Sequence, residues 1–155
     1  DAPEFPDWKA VYPNLSLYLT EIDFKKSKIL NIIKSFPKVK KLKELTYLII
    51  TVERKFMKLK MVNEFLELMH ETTIDDFDFD IDIISLEKDS VKLCVNFQLF
   101  IDALSVCDEL ITLMFKDEYN PIYITDKKTF YYLRKHAKNE YKTEILLMGC
   151  VEEKI

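Results

Sequence analysis

The chain has 155 residues, of which 48% are hydrophobic and 32% are charged, with a formal net charge of −4. This length and composition predict one folded domain and argue against a disordered chain. No apolar run approaches the roughly 20 residues that cross a membrane, and the first residues lack the pattern of a signal peptide, so we expect an intracellular protein.

In chain order, the first feature is an aromatic segment between two prolines, "EFPDWKAVYP". Pro13 cannot continue a helix, and Tyr12 before it is biased toward an extended backbone. The segment therefore predicts at most one helical turn, which needs the rest of the domain to pack against.

The first half of the chain then predicts a strand, a helix and three more strands. The first strand is "LSLYLTEI", and Asp23 is placed to cap the lysine-rich helix "FKKSKILNIIKSF". The next three strands are "LTYLIITVE", "RKFMKLKMV" and "FDFDIDII". Residues 63–72 are left over as an insertion.

The second half repeats this order. The strand is "SVKLCV", Asn96 is placed to cap the helix "FQLFIDALSVCD", and the three strands are "LITLMFK", "PIYITD" and "TEILLMGC". Residues 126–143 form a second insertion. The sequence thus predicts an α+β fold of two β-α-β-β-β repeats, at residues 14–90 and 91–151, with the helices on one face of antiparallel sheets.

Charge is unevenly distributed between the halves of the first repeat. Residues 64–89 carry ten acids and one lysine, whereas residues 25–43 carry eight lysines and no acid. A cationic helix face in an acidic protein favours a phosphate backbone as partner over a merely solvated surface. The lysines are Lys25, Lys26, Lys28, Lys34, Lys38, Lys40, Lys41 and Lys43.

The acidic segment at residues 75–82 is a candidate metal site. Asp78, Asp80 and Asp82 alternate with apolar residues, which predicts a strand with all three carboxylates in solvent. Ile83 stands where a calcium loop needs glycine, so that kind of site is excluded. A metal-dependent nuclease or other phosphate-handling enzyme stays open as an alternative.

Other catalytic and cofactor motifs have little support. A Walker loop or a dinucleotide fingerprint needs several glycines, and Gly149 is the single glycine of the chain. His70 and His136 have no cysteine or carboxylate at ligand spacing, so we expect neither a metal nor a cofactor. The cysteines lack CxxC spacing and are expected to be reduced core residues: Cys94, Cys107 and Cys150.

The doubled unit, preceded by "FPDWKAVYP" and containing "VNFQLFIDAL", "LITLMF" and "NPIYI", resembles the C-terminal (third) domain of the bacterial DNA polymerase III β subunit, the β sliding clamp. The resemblance runs from Phe5 to about Val151 and lies in the ordered combination of these pieces. It covers one of that family's three domains, so we expect the chain to be part of a longer subunit, with residues 1–13 as the linker from the preceding domain.

The resemblance implies a processivity factor and no catalytic activity. Clamps form rings whose helices face duplex DNA and hold a polymerase on its template, in the bacterial cytoplasm at the nucleoid. The resemblance therefore implies non-specific contacts to phosphates from the lysines of residues 25–41, together with polymerase, clamp loader and repair proteins as partners. A stand-alone interaction module that has lost DNA binding is a further alternative.

Partners of such clamps dock short peptides in an apolar groove, and the resemblance implies which residues line it here. Ala10 and Leu99 stand where the family often has a basic and an aromatic residue, and "MGCVEEKI" replaces the family's Met-Pro-Met-Arg end. The implied groove residues are Pro6, Ala10, Val11, Leu99, Tyr119, Pro121, Leu146, Leu147 and Met148.

Overall fold

A computed structural model describes residues 13–38, 45–126 and 143–149. These residues contain two α-helices, a short 3-10 turn at Leu15–Leu17 and nine β-strands. The helices are α1 (Lys26–Lys34) and α2 (Phe97–Ser105). The strands are β1 (Thr20–Lys25), β2 (Thr46–Glu53), β3 (Met57–Asn63), β4 (Leu68–Ile74), β5 (Ile81–Ser85), β6 (Ser90–Asn96), β7 (Leu110–Phe115), β8 (Ile122–Asp126) and β9 (Glu144–Leu147). Neither helix in these ranges is long and apolar enough to cross a membrane.

The strands form two antiparallel sheets that exchange one strand between the repeats. The four-stranded sheet has the order β4-β3-β2-β6, and the five-stranded sheet has the order β5-β1-β7-β8-β9. Each sheet therefore holds three consecutive strands of one repeat and the first strand of the other. This exchange ties the two halves into one domain, and it confirms the predicted α+β fold with two β-α-β-β-β repeats.

One hydrophobic core joins both sheets and both helices. Alternate residues of the strands point into it, as the burial of Leu48, Ile50 and Val52 along β2 shows. Helix α1 contributes Ile29 and Ile33 at a spacing of four residues, which places them on one face. Helix α2 contributes its own buried set, Phe100, Ala103 and Leu104.

The third strand of the first repeat differs from the prediction. Residues 63–72 were expected to be an insertion, but β4 begins at Leu68 and pairs with β3 along its length. The predicted strand at 77–84 begins only at Ile81 and is an extra edge strand beside β1. Its first half is a turn, in which the amides of Asp80 and Ile81 donate to the Phe77 carbonyl and Asp78 has a positive φ of 47°.

The two helix N-termini differ, and only one of them was predicted correctly. Asn96 caps α2 as expected, because its Oδ1 accepts from the Leu99 amide at 3.0 Å. Asp23 does not cap α1: it lies inside β1, and its Oδ1 accepts from Thr112 Oγ1 at 2.8 Å. The amide of Ser27 in α1 donates to Glu109 Oε1 at 3.1 Å instead, and the Ser27 hydroxyl donates to the same oxygen.

The first predicted strand is shorter than expected. Residues 15–17 form the 3-10 turn, with Asn14 Oδ1 accepting from the Ser16 amide at 3.2 Å, and β1 starts at Thr20. Cys94 and Cys107 are buried free thiols, as predicted. The predictions for the aromatic opening segment, Cys150 and His136 lie outside the described residues, as does the insertion at 126–143 apart from its two end residues.

Candidate nucleic-acid and peptide-binding surfaces

The first candidate site is the cationic side of α1. Ile29 and Ile33 face the core, and Lys28 and Lys34 lie on the two flanks of this buried face, where Lys34 is exposed and Lys28 is half-buried. Lys38 is exposed just beyond the helix end. Lys28, Lys34 and Lys38 are called the α1 surface below; Lys40, Lys41 and Lys43 lie outside the described residues.

Two of the predicted DNA-facing lysines are instead engaged within the domain. Lys25 Nζ lies 3.3 Å from Asp80 Oδ1, in an ion pair that is partly exposed. Lys26 Nζ donates to the Cys107 carbonyl at 2.7 Å, close to the C-terminal end of α2, where a cation is favoured by the helix dipole. The sequence does not distinguish these two lysines from the others, but at the strand-to-helix junction Lys25 contacts the turn before β5 and Lys26 contacts the second repeat.

Helix α2 presents a different surface. Its exposed side chains include Gln98, Leu99, Asp102 and Ser105, and Gln98 Nε2 donates to Asp102 Oδ1 at 2.9 Å. The sequence has no lysine or arginine from Leu93 to Phe115. The positive charge of the two helices therefore lies on α1 alone.

The second candidate site lies at one end of the β8–β9 pair. Ile122 is opposite Leu147 and Tyr123 is opposite Leu146, so Pro121 and Met148 continue the same end of the two strands. Met148 is 58% exposed, whereas Leu147 is 8% exposed and belongs to the core. Leu147 is thus a correction to the predicted groove: the alternation of the strand turns its side chain inward.

The turn before β8 is held in a fixed shape by Asp117. Its Oδ1 accepts from the Tyr119 amide at 2.9 Å, the Asn120 amide at 3.0 Å and Asn120 Nδ2 at 2.7 Å. The side-chain bond from Asn120, with those from the two amides, lowers the pKa of Asp117. The turn leaves the Tyr119 side chain 67% exposed.

Tyr18 anchors this corner and was not identified from the sequence. Its hydroxyl donates to the Pro121 carbonyl at 2.7 Å, and burial, with a smaller contribution from Asp117, raises the pKa of the phenol. The two residues are 103 positions apart, so no local pattern could have paired them.

The same corner approaches the start of α2. A Cβ on Gly149 would lie 3.3 Å from the Cys94 carbonyl, which shows that the chain after Met148 passes close to β6. Helix α2 follows β6 and contacts β9, and Leu99 in its first turn is about half exposed. We call the following residues the β9 corner: the exposed Leu99, Tyr119, Leu146 and Met148, and the half-buried Pro121. Pro6, Ala10 and Val11 lie outside the described residues.

The aspartates of residues 75–82 are not arranged as predicted. Asp78 lies in the turn, Asp80 pairs with Lys25, and Asp82 lies on β5 opposite Asp23. Among the residues that the structure describes, no group of three or more His, Cys, Asp or Glu side chains is placed to hold a metal ion.

Comparison with solved structures identifies the architecture. The chain superposes on the sliding clamp (DNA polymerase III subunit beta) from Bartonella birtlesii bound to griselimycin with a TM-score of 0.69 and 15% identity, over 96% of this chain and 34% of that chain. It superposes on the Helicobacter pylori beta clamp in complex with 3,4-difluorobenzamide with a TM-score of 0.68 and 18% identity, over 97% of this chain and 35% of that chain. It superposes on the DNA polymerase III subunit beta from Pseudomonas aeruginosa with a TM-score of 0.69 and 12% identity, over 97% of this chain and 36% of that chain.

The chain therefore has the fold of one domain of the bacterial β sliding clamps, and it spans about a third of the length of those proteins. No family model and no curated protein matches the sequence. The resemblance found in the sequence is thus confirmed at the level of the fold.

Proposed function

We propose that this chain is one domain of a DNA sliding clamp, a processivity factor without catalytic activity that encircles duplex DNA as part of a ring. The observation that carries the proposal is the superposition of nearly the whole chain on solved DNA polymerase III β subunits. Ring closure then requires the further domains of a longer subunit, and the protein acts at the nucleoid in the bacterial cytoplasm.

The α1 surface provides the contacts to DNA. Lysine ammonium groups on an exposed helix face neutralise phosphates without reading base edges, so binding is independent of sequence and the protein can slide. Lys34 and Lys38 carry most of this role in the described part of the chain, with Lys28 at the flank. We assign the same role to Lys40 and Lys41, which lie outside the described residues, on the family resemblance alone, whereas Lys25 and Lys26 are engaged within the domain.

The β9 corner provides the contacts to partner proteins. Exposed aliphatic, aromatic and proline side chains beside a fixed turn suit the apolar anchors of a short peptide. Pro6, Ala10 and Val11 complete the proposed groove from the opening segment. Polymerase, clamp loader and repair proteins are the partners that this groove would tether to DNA.

The test of the DNA proposal is the salt dependence of binding to a duplex of arbitrary sequence, measured by fluorescence anisotropy at low ionic strength. The double variant Lys34→Gln/Lys38→Gln is expected to flatten the slope of log K against log salt by up to about 1.8, roughly 0.9 for each phosphate that is no longer neutralised. Arg54→Gln/Lys55→Gln, which removes two exposed cations from the β2–β3 turn, is the matched control. An equal effect of the control, or a weakening confined to certain DNA sequences, contradicts the proposal.

The test of the groove is a peptide titration followed by NMR. Because half of the family's groove belongs to a neighbouring domain that this chain does not span, the affinity for a clamp-binding peptide should be near the millimolar range, about −4 kcal/mol. Met148→Ser should abolish the peptide-induced shifts with little loss of stability, because Met148 is exposed. Leu68→Ser, at an exposed site on β4, is the control and should leave the shifts unchanged. Shifts that avoid Met148 and Tyr119 would remove this assignment.

The nuclease alternative makes an opposite prediction. If magnesium-dependent cleavage of DNA is found and is lost when Asp78, Asp80 and Asp82 are changed to asparagine, the chain is an enzyme. A clamp domain should bind DNA at least as well after these changes, because they remove negative charge.

A further inference from the structure

A recess at the other edge of the five-stranded sheet is a second candidate for partner recognition. It has a volume of about 220 Å³, and it lies between β1, the β4–β5 turn and the start of β7. In the sheet order β5-β1-β7-β8-β9, the recess lies over the first three strands, whereas the β9 corner lies at the last two. Its lining is Asp23, Phe24, Lys25, Phe79, Asp80, Asp82, Leu110 and Ile111.

The aromatic wall of the recess is held out in solvent by a fixed turn. Phe77 packs against the core on one side of the turn. On the other side the Asp80 carbonyl accepts from the Lys25 amide at 2.8 Å, and the Asp80 carboxylate pairs with Lys25 Nζ. Between these anchors Phe79 is 90% exposed. The backbone of the turn is thus fixed on both sides of Phe79, and the exposed ring is open to contact by a partner.

The rest of the lining combines an apolar floor with an acidic rim. Phe24 and Ile111 are buried beneath the recess, and Leu110, which is 42% exposed, forms the wall opposite the turn. Asp23 and Asp82 are direct neighbours across the β1–β5 pair, an arrangement of like charges that costs stability. The lining therefore contains three carboxylates and one ammonium group, with Asp80 paired with Lys25 and Asp82 exposed at the rim.

We propose that this recess binds an arginine side chain flanked by leucines in an extended segment of a partner protein. A guanidinium is planar, so it can stack on Phe79 while its fork of N–H donors reaches the carboxylate of Asp82. The positive charge relieves the repulsion between Asp82 and Asp23. A neighbouring leucine covers Leu110, and the extended backbone runs beside β5, which pairs only with β1 among the described strands.

The proposal concerns a surface different from the α1 surface and the β9 corner, so it can fail without affecting the DNA or groove proposals. The probe is the peptide N-acetyl-Ser-Leu-Arg-Leu-Ser-amide, titrated into the ¹⁵N-labelled chain. Shifts should concentrate at Phe79, Asp82 and Leu110. The same peptide with citrulline in place of arginine keeps the planar shape but loses the charge and two of the five N–H donors, and it should bind at least tenfold more weakly.

Two variants with matched controls locate the contacts. Phe79→Ser and Asp82→Asn, both at exposed sites, should each weaken binding at least fivefold. Phe65→Ser, an exposed aromatic on the β3–β4 turn, and Asp89→Asn, an exposed acid before β6, should have no effect. Asp82→Arg should abolish binding of the arginine peptide and allow binding of the peptide with glutamate in its place.

Several results would overturn the proposal. Equal binding of the citrulline peptide would remove the charge recognition, and shifts elsewhere on the chain would remove the site. A third result would be a dimer of this chain, detected by sedimentation, that Phe79→Ser dissociates while the peptide binds unchanged. The recess would then be occupied by a second copy of this chain, and the proposed arginine segment would be wrong.

Discussion

Helices α1 and α2 occupy equivalent places in the two repeats and pack on the same core, yet their exposed residues differ in charge. Each has nine residues and follows the first strand of its repeat directly. Helix α1 has three lysines and no acid, whereas α2 has one aspartate and no cation. Both are amphipathic, and both bury large apolar side chains in the same core.

The comparison separates what the fold requires from what function can change. Burial at core positions fixes each helix against the sheets, and the exposed positions are then free to differ in charge. If only α1 faces phosphate with cations, this domain contributes to DNA binding from one side of its helix layer. The two helices also touch, and Lys26 links the start of α1 to the end of α2.

The largest expected effect is the loss of stability when a buried side chain of α2 is removed. Phe100 is fully buried in the core, so Phe100→Ala should lower the free energy of unfolding by about 3–5 kcal/mol. Urea unfolding followed by circular dichroism measures this. Leu99→Ala, at the exposed neighbouring position, is the control and should cost far less; a loss of similar size would mean that the buried face is assigned wrongly.

A second prediction concerns the junction between the helices. The pKa of Cys107 is raised to about 11, mainly by burial and then by the negative charges of Asp126 and Asp108. The positive charge of Lys26 acts in the opposite direction. The thiol should therefore react with iodoacetamide at pH 8 about a hundredfold more slowly in the folded protein than in urea, because only the thiolate reacts. Peptide mapping by mass spectrometry follows Cys107 separately from the other cysteines. Equal rates in the two conditions would contradict the burial of this junction.

A third prediction compares the two N-termini directly. Removing the local cap with Asn96→Ala should cost about 1 kcal/mol, since the Leu99 amide loses its side-chain acceptor. Asp23→Asn keeps an acceptor for Thr112 and should leave α1 capped. Urea unfolding of both variants sharpens the comparison: a large loss in Asp23→Asn would show that Asp23 supports α1 after all.

The smallest effect is the pH dependence of the α1 cap. The hydrogen bond from the Ser27 side chain, above the other contributions, lowers the pKa of Glu109. A carboxylate with a lowered folded pKa stabilises the protein above its unfolded pKa, and this contribution disappears as the pH falls through the folded pKa. Glu109→Gln should therefore narrow the stability difference between pH 7 and pH 3. If Glu109→Gln leaves the stability difference between pH 7 and pH 3 unchanged, the Glu109 carboxylate does not stabilise α1 through its charge.

Local patterns in the sequence were sufficient for the elements whose partners lie nearby. Short runs of apolar and β-branched residues located β2, β6 and β7, and Asn96 was recognised as a cap because it directly precedes the helix whose Leu99 amide it accepts from. The repeat order and the ordered family resemblance were enough for the α+β fold. The residues of the β9 corner were named from the family resemblance, whereas the buried Tyr18, which anchors that corner, was not identified.

Only the tertiary structure decided which elements pair across the repeats and what that does to their side chains. The pairing of β1 with β7 places Asp23 beside Thr112, and the loop before β7 brings Glu109 to the start of α1, so a local cap was replaced by a distant one. The same crossing encloses the recess between Phe79 and Leu110, which are 31 positions apart in the chain. Sequence periodicity reports which side of a strand is buried, but it carries no information on which distant strand lies beside it, because that choice depends on the packing of the whole core.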